Sequence, residues 1–240
     1  MFRKILAAAI LVGLTAEANA ALSTGDLAFT AFNADEDGWA LTTFKDIDAN
    51  TTIYFSDNTW NGSSFNPTES FHTWDTGAAS IAAGTLIRFS QIDVDARSAS
   101  IGSFSANGGN FGMNATAETI YAYLGSSQTT PTTFLTAVSS ESNNTSLTNA
   151  GLTAGVNAVK LTSSTDYAEY IGIRSGLTSF PAYSSLVNNA ANWNILVGGD
   201  QSLQVPNTGN FSAVPVPGAA WLFSSVVTGF TLISRRKKPA

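Results

Sequence analysis

The 240-residue sequence contains no cysteine and a single histidine, His72. The first absence removes disulfides, thiolate nucleophiles and Cys-ligated zinc, and the second leaves no histidine metal cluster within one chain. Charge is scarce as well, since only 12% of residues are Asp, Glu, Lys or Arg. Basic residues almost vanish from the middle. Of 11, Arg3 and Lys4 stand at the start and Arg235, Arg236, Lys237 and Lys238 at the end, whereas 16 of the 17 acidic residues lie between them. The middle therefore carries a net −11, a balance that repels phosphate backbones and argues against nucleic acid as a partner. What the chain has in quantity is aromatic area: 15 Phe, 6 Tyr and 5 Trp. That is enough to drive folding of a body otherwise rich in Ser, Thr, Asn and Gly.

The two ends read as addresses. Arg3 and Lys4 precede an apolar stretch at 5–14, and Ala18-Asn19-Ala20 places small residues at the two positions a signal peptidase reads. This is a secretory signal peptide pattern at 1–20, with the mature chain beginning at Ala21. At the other end, residues 218–234 are 17 uncharged residues that include Trp221, Leu222, Phe223, Val226, Val227, Phe230, Leu232 and Ile233. About 17 to 25 such residues span a bilayer, and the four cations that follow would stop transfer and stay cytoplasmic. A transmembrane helix is expected there.

Val214, Pro215, Val216, Pro217 and Gly218, then this apolar run, then Arg235, Arg236, Lys237 and Lys238 together resemble a PEP-CTERM sorting signal of the Val-Pro-x-Pro-Ala variant, over 214–238. Val216 stands between the prolines where the main form carries Glu, and Gly218 stands where the variant carries Ala. The resemblance implies processing by exosortase, a membrane enzyme of Gram-negative bacteria that make exopolysaccharide.

Between the ends, at 21–211, short apolar or alternating runs bounded by Gly, Asn, Asp, Ser or Pro fall at 27–32, 39–44, 52–55, 86–89, 119–124, 134–138, 156–161 and 167–173. Recurrent short strands with turn signals predict an all-β sandwich or barrel. The stretch 183–193 keeps helical spacing through Tyr183, Leu186, Val187, Ala190 and Ala191, which predicts one short helix. Residues 47–56 align with 81–90, and 152–156 echo them. Asn or Gly in each copy suits a tight turn with positive φ that opens a strand, whether the copies form a repeat or share only turn chemistry. An Ala-Gly turn launching an apolar strand resembles the lamin-tail-like domains of bacterial secreted proteins. The sequence is more similar still to a group of bacterial surface proteins that carry Gly25-Asp26-Leu27-Ala28-Phe29, Asn33-Ala34-Asp35-Glu36-Asp37-Gly38, Thr52-Ile53-Tyr54-Phe55-Ser56-Asp57-Asn58 and Trp60-Asn61-Gly62, and near their end a Tyr-Ile-Gly-x-Arg-Ser-Gly turn and an Asn-Trp, matched by Tyr170 to Gly176 and Asn192-Trp193. The likeness implies an immunoglobulin-like β-sandwich and little about activity.

Three constellations invite chemistry. Asn33, Asp35 and Asp37, followed by Gly38, place hard oxygens at alternate positions as a calcium loop does, although an EF-hand would need Glu where Phe44 stands. The alternative is a solvated acidic turn. His72 lies near Ser70 and Asp75, but no Gly-x-Ser-x-Gly elbow accompanies them, and a structural histidine is the simpler reading. Trp60, beside Asn58, Asn61 and Gly62, is the candidate for stacking on a sugar, against the usual role of aromatics as core. The expected function is that of an exported, non-enzymatic cell-surface or matrix protein. Its partners would be signal peptidase, exosortase, the membrane before processing and an exopolysaccharide matrix. Two alternatives stand beside it: a carbohydrate-binding module, and a matrix hydrolase working through paired carboxylates.

Overall fold

A computed structural model describes residues 21–214 of the chain. The expected signal peptide with Ala18 and Ala20 lies outside the described residues, as do Pro215, Val216, Pro217, Gly218, the apolar run and the cations Arg235, Arg236, Lys237 and Lys238. Among the described residues no helix is long and apolar enough to cross a membrane.

Each expected strand run coincides with a strand, and six further strands join them. In chain order these are β1 (Leu27–Asn33), β2 (Gly38–Thr43), β3 (Thr52–Ser56), β4 (Ser70–Asp75), β5 (Leu86–Ser90), β6 (Ser98–Ala99), β7 (Ser103–Gly108), β8 (Thr119–Ser127), β9 (Thr130–Ser139), β10 (Ala158–Lys160), β11 (Thr165–Tyr170), β12 (Ser175–Leu177), β13 (Trp193–Val197) and β14 (Ser212–Ala213). They form two six-stranded sheets, ordered β13-β11-β1-β2-β5-β6 and β10-β9-β8-β3-β4-β7, and a small parallel pair of β12 with β14. Among the described residues helix is confined to short turns. α1 (Thr145–Asn149) had no signal in the sequence, whereas α2 (Ser184–Val187) with its flanking 3-10 turns occupies the stretch of helical spacing, which ends as Trp193 enters β13.

Alternation puts one face of each sheet inward. Phe29, Trp39, Leu41 and Phe89 from the first sheet meet Phe55, Trp74, Ile120 and Leu135 from the second in one shared core. The outer faces are covered too, which is why β1 and β2 are buried along their whole length. On the first sheet Ala31, Ala40 and Leu86 form a low, small-residue surface. The chain beyond β13 returns across it, held where Asn207 N–H donates to Glu169 Oε2 and Leu86 N–H donates to Asn210 Oδ1. On the second sheet the outward tyrosines of β8, Tyr121 and Tyr123, pack with Trp60, Phe65, Leu147 and Leu152 in a separate apolar cluster.

The two aligned turn-and-strand segments face each other. Ile47 and Ile81 exchange both backbone hydrogen bonds, at 2.8 and 2.9 Å, and the chain then divides, one copy feeding β3 in the second sheet and the other β5 in the first. Asn50 and Gly84 both take positive φ, 57° and 85°. Only glycine serves at the second: a Cβ on Gly84 would stand 2.5 Å from the Phe211 carbonyl oxygen. The folded body also runs past 211, because β14 pairs at Ser212 and Ala213, and Val214 N–H donates to Leu177 O.

Candidate functional site

Asn33, Asp35 and Asp37 lie on the turn between β1 and β2. Asn33 Oδ1 accepts from the backbone N–H groups of Asp35 and Glu36, both at 3.0 Å, while its amide donates to Gln201 O. Asp35 Oδ2 accepts from Gln201 N–H at 2.7 Å, Glu36 pairs with Arg88 at 3.1 Å, and Asp37 Oδ1 accepts from Met113 N–H. The Asn33 oxygen thus turns back onto its own turn while those of Asp35 and Asp37 go to separate partners, and among the described residues no group of three His, Asp or Glu could hold a metal ion. The turn is a junction. It pins the segment after β13 and the loop before β8 to the rim of the first sheet. Burial pushes the Asp37 carboxyl up to about 6, with neighbouring Asp93, Glu36 and Asp35 adding to the shift.

Trp60 requires a correction. It is 8% exposed, its ring centroid lies 4.9 Å from that of Phe65 and 5.2 Å from that of Phe134, and its indole N–H donates to Asn149 O. A sugar could reach its face only by displacing those rings. The outward tyrosines of β8 explain why: an apolar outer face needs a lid, and the loop 59–66 supplies one.

The densest chemistry lies between the sheets at the same end as the acidic turn. Ser70 Oγ donates to Asp57 Oδ1 at 3.1 Å and stands 3.4 Å from His72 Nδ1; Ser70 N–H also donates to Asp57 Oδ1. Thus the fold does bring Ser70 beside His72, as neighbours on one face of β4, but the acid of the group is Asp57. Asp75 sits at the far end of that strand and accepts from Thr52. The order is also wrong for nucleophilic catalysis, since the serine bridges acid and imidazole rather than ending the relay.

The group is sealed. Trp39, Ser56, Asp57, His72, Ile92 and Ile120 enclose a gap with no space for a water molecule. The His72 ring stacks on Phe104 at 5.2 Å and meets Phe111 edge-on. Asp57 Oδ2 and Trp39 Nε1 are buried without a hydrogen-bond partner among the described residues. Desolvation sets the ionisation: burial pushes Asp57 up to about 7, with repulsion from Glu69 adding to it, and pulls His72 down to about 4. Glu118, at the entrance to β8, is pushed up to about 8 by burial although it accepts from Asn114 and Thr119 N–H. At neutral pH the imidazole is therefore uncharged and Glu118 largely protonated. Glu118 carried no motif in the sequence; only its position under the loop before β8 makes it part of this group.

An open groove of about 320 Å³ lies elsewhere, beside α1, lined by Asn144, Thr148, Gly151, Leu152, Thr153 and Ala154. It offers hydroxyl and amide groups over an apolar floor and no charge.

Compared with protein-family models, with curated proteins and with solved structures, the chain matches none.

Proposed function

We propose that the chain is an exported, non-enzymatic surface or matrix protein of a Gram-negative bacterium. Its lamin-tail-like, immunoglobulin-like body is anchored in the inner membrane by residues 218–234 and then released by exosortase toward the outer surface and its exopolysaccharide. The observation that carries the non-enzymatic reading is the sealing of Asp57, Ser70, His72 and Glu118. His72 packs against aromatic rings, the gap that it lines with Asp57 has no space even for water, and Ser70 and Glu118 are themselves buried. The same sealing weakens the reading as a hydrolase with paired carboxylates. Mature surface protein examined by mass spectrometry should lack Trp221 and the 235–238 tail, and cells without exosortase should retain a longer, membrane-bound form. Tail peptides containing Arg235 still joined to mature surface protein would overturn this.

The groove beside α1 favours a second reading, a carbohydrate-binding module, because uncharged hydroxyl and amide side chains pair with sugar hydroxyls. Titration of the purified 21–214 body with exopolysaccharide from the source cells tests it. Binding should be lost in Thr148→Trp, which fills the groove, and kept in Trp60→Phe, whose ring lies beneath the surface. Equal binding by the wild type and Thr148→Trp would place any saccharide elsewhere.

A further inference from the structure

The chain enters and leaves the body at one end. Lys45 Nζ donates to Ala21 O at 3.1 Å, Phe44 N–H donates to Asp26 O, Gly84 N–H donates to Thr43 O and Phe211 N–H donates to Gly84 O. These contacts carry the first described residue to the last strand through a single set of turns. The Asp57 and His72 group, the acidic turn and the segment at Gln201 occupy the opposite end, where Asn33 Nδ2 donates to the carbonyls of Gln201 and Gln204.

At the shared end three apolar side chains face solvent: Ile171 is 64% exposed, Ile173 55% and Val214 56%. The two isoleucines are turned outward by the chain around them. Tyr170 Oη donates forward to Ile173 O at 2.9 Å, and Gly172 permits that fold because a Cβ there would stand 2.4 Å from Tyr170 Oη. Arg174 is fixed beside them, donating to Gly209 O at 2.8 Å with its guanidinium 5.1 Å from the centre of the Phe211 ring. Ser212 N–H donates to Arg174 O and Val214 N–H to Leu177 O, so this edge and the outgoing chain are one unit.

Val214 is thus still part of the fold, and the apolar run starts at Gly218. The four steps between them reach at most about 14 Å. A body whose last hydrogen-bonded residue is that close to a membrane span has its exit end held against the bilayer.

We infer that, while the chain is anchored, the exit end of the body rests in the lipid headgroup region through Ile171, Ile173 and Val214. This rests on the reading of 218–234 as the anchor. Exposed isoleucine and valine are unfavourable in water and gain from the interface, whereas Arg174 keeps its guanidinium on the Tyr170 and Phe211 rings and on the carbonyls of Gly209 and Tyr170, which holds this edge rigid.

The test uses the full chain, which has no native cysteine to compete for label. Ile171→Cys, Ile173→Cys and Leu203→Cys carry an environment-sensitive fluorophore after reconstitution into phosphatidylethanolamine–phosphatidylglycerol vesicles that contain spin-labelled lipid. Leu203 is the control: it is 92% exposed and lies between Gln201 and Gln204 at the opposite end. Lipid quenching at 171 and 173 should be at least twofold stronger than at 203. Alkaline carbonate extraction separates the two readings. Chain retained in the vesicles with equal quenching at all three sites overturns the docking alone, and so does burial of the 171 label that depends on protein concentration and not on lipid, which would mark a second copy. Chain released by carbonate overturns the anchor and the docking with it.

Discussion

The isolated 21–214 body is expected to be more stable at pH 5 than at pH 9, by a few kcal/mol. Asp57 and Glu118, with folded pKa values pushed up by burial to about 7 and about 8, drive this difference. A carboxyl whose folded pKa is raised holds a proton that the unfolded chain has already lost. Its stabilisation is complete below the unfolded value, near 4, and disappears as pH rises through the folded one. His72 works the other way: its folded pKa is lowered to about 4, so stability is regained between about 4 and 6.5. Below pH 6.5 the opposing effects partly cancel, and between 6.5 and 8 the carboxyls act unopposed. Each tenfold change in proton affinity is worth about 1.4 kcal/mol, so the fall should be read easily as a drop on the order of ten degrees in Tm. Asp57→Asn retains an oxygen for Ser70 and should flatten much of the slope, as should Glu118→Gln. A melting temperature that rises steadily from pH 5 to pH 9 would show that these carboxyls are ionised in the fold at no cost.

Trp39→Ala is expected to cost about 3 to 5 kcal/mol, the range for removing a large buried aromatic and leaving its cavity. Trp39 projects from β2 between the sheets, its ring centroid 5.2 Å from that of Phe55, 5.6 Å from those of His72 and Phe89, and 6.0 Å from that of Phe104. It therefore joins strands of both sheets and forms one wall of the polar group. Urea unfolding should show a lower midpoint with an unchanged slope. Ile171→Ala is the comparison, expected within about 0.5 kcal/mol of the wild type because that side chain is exposed in the free body. Similar midpoints for the two variants would refute the assignment of Trp39 to the core that joins the sheets.

The largely β architecture was legible in the sequence because strand signals are local. Alternation at 27–32 or 119–124, ended by Gly, Asn or Asp, needs no knowledge of what lies opposite. The turns at Asn50 and Gly84 were legible for the same reason, since positive φ selects residue types one position at a time. Their meeting across Ile47 and Ile81 was not, because pairing depends on how the two sheets divide the strands between them.

The sites belong more fully to the tertiary structure. Trp60 has loop neighbours in sequence, yet the outward face of β8 draws it under cover, and nothing within the motif reports tyrosines as distant along the chain as Tyr121 and Tyr123. Asn33, Asp35 and Asp37 have calcium-like spacing, but the Asn33 oxygen caps its own turn while those of Asp35 and Asp37 go to Gln201 and Met113, which lie far along the chain. Asp57 rather than Asp75 reaches Ser70 because the antiparallel pairing of β3 with β4 places the start of one strand at the end of the other. Composition and spacing determine what a segment can be. Which faces are covered, and hence which charges are held neutral, is decided only when distant segments pack, because desolvation is a property of the surroundings and not of the residue.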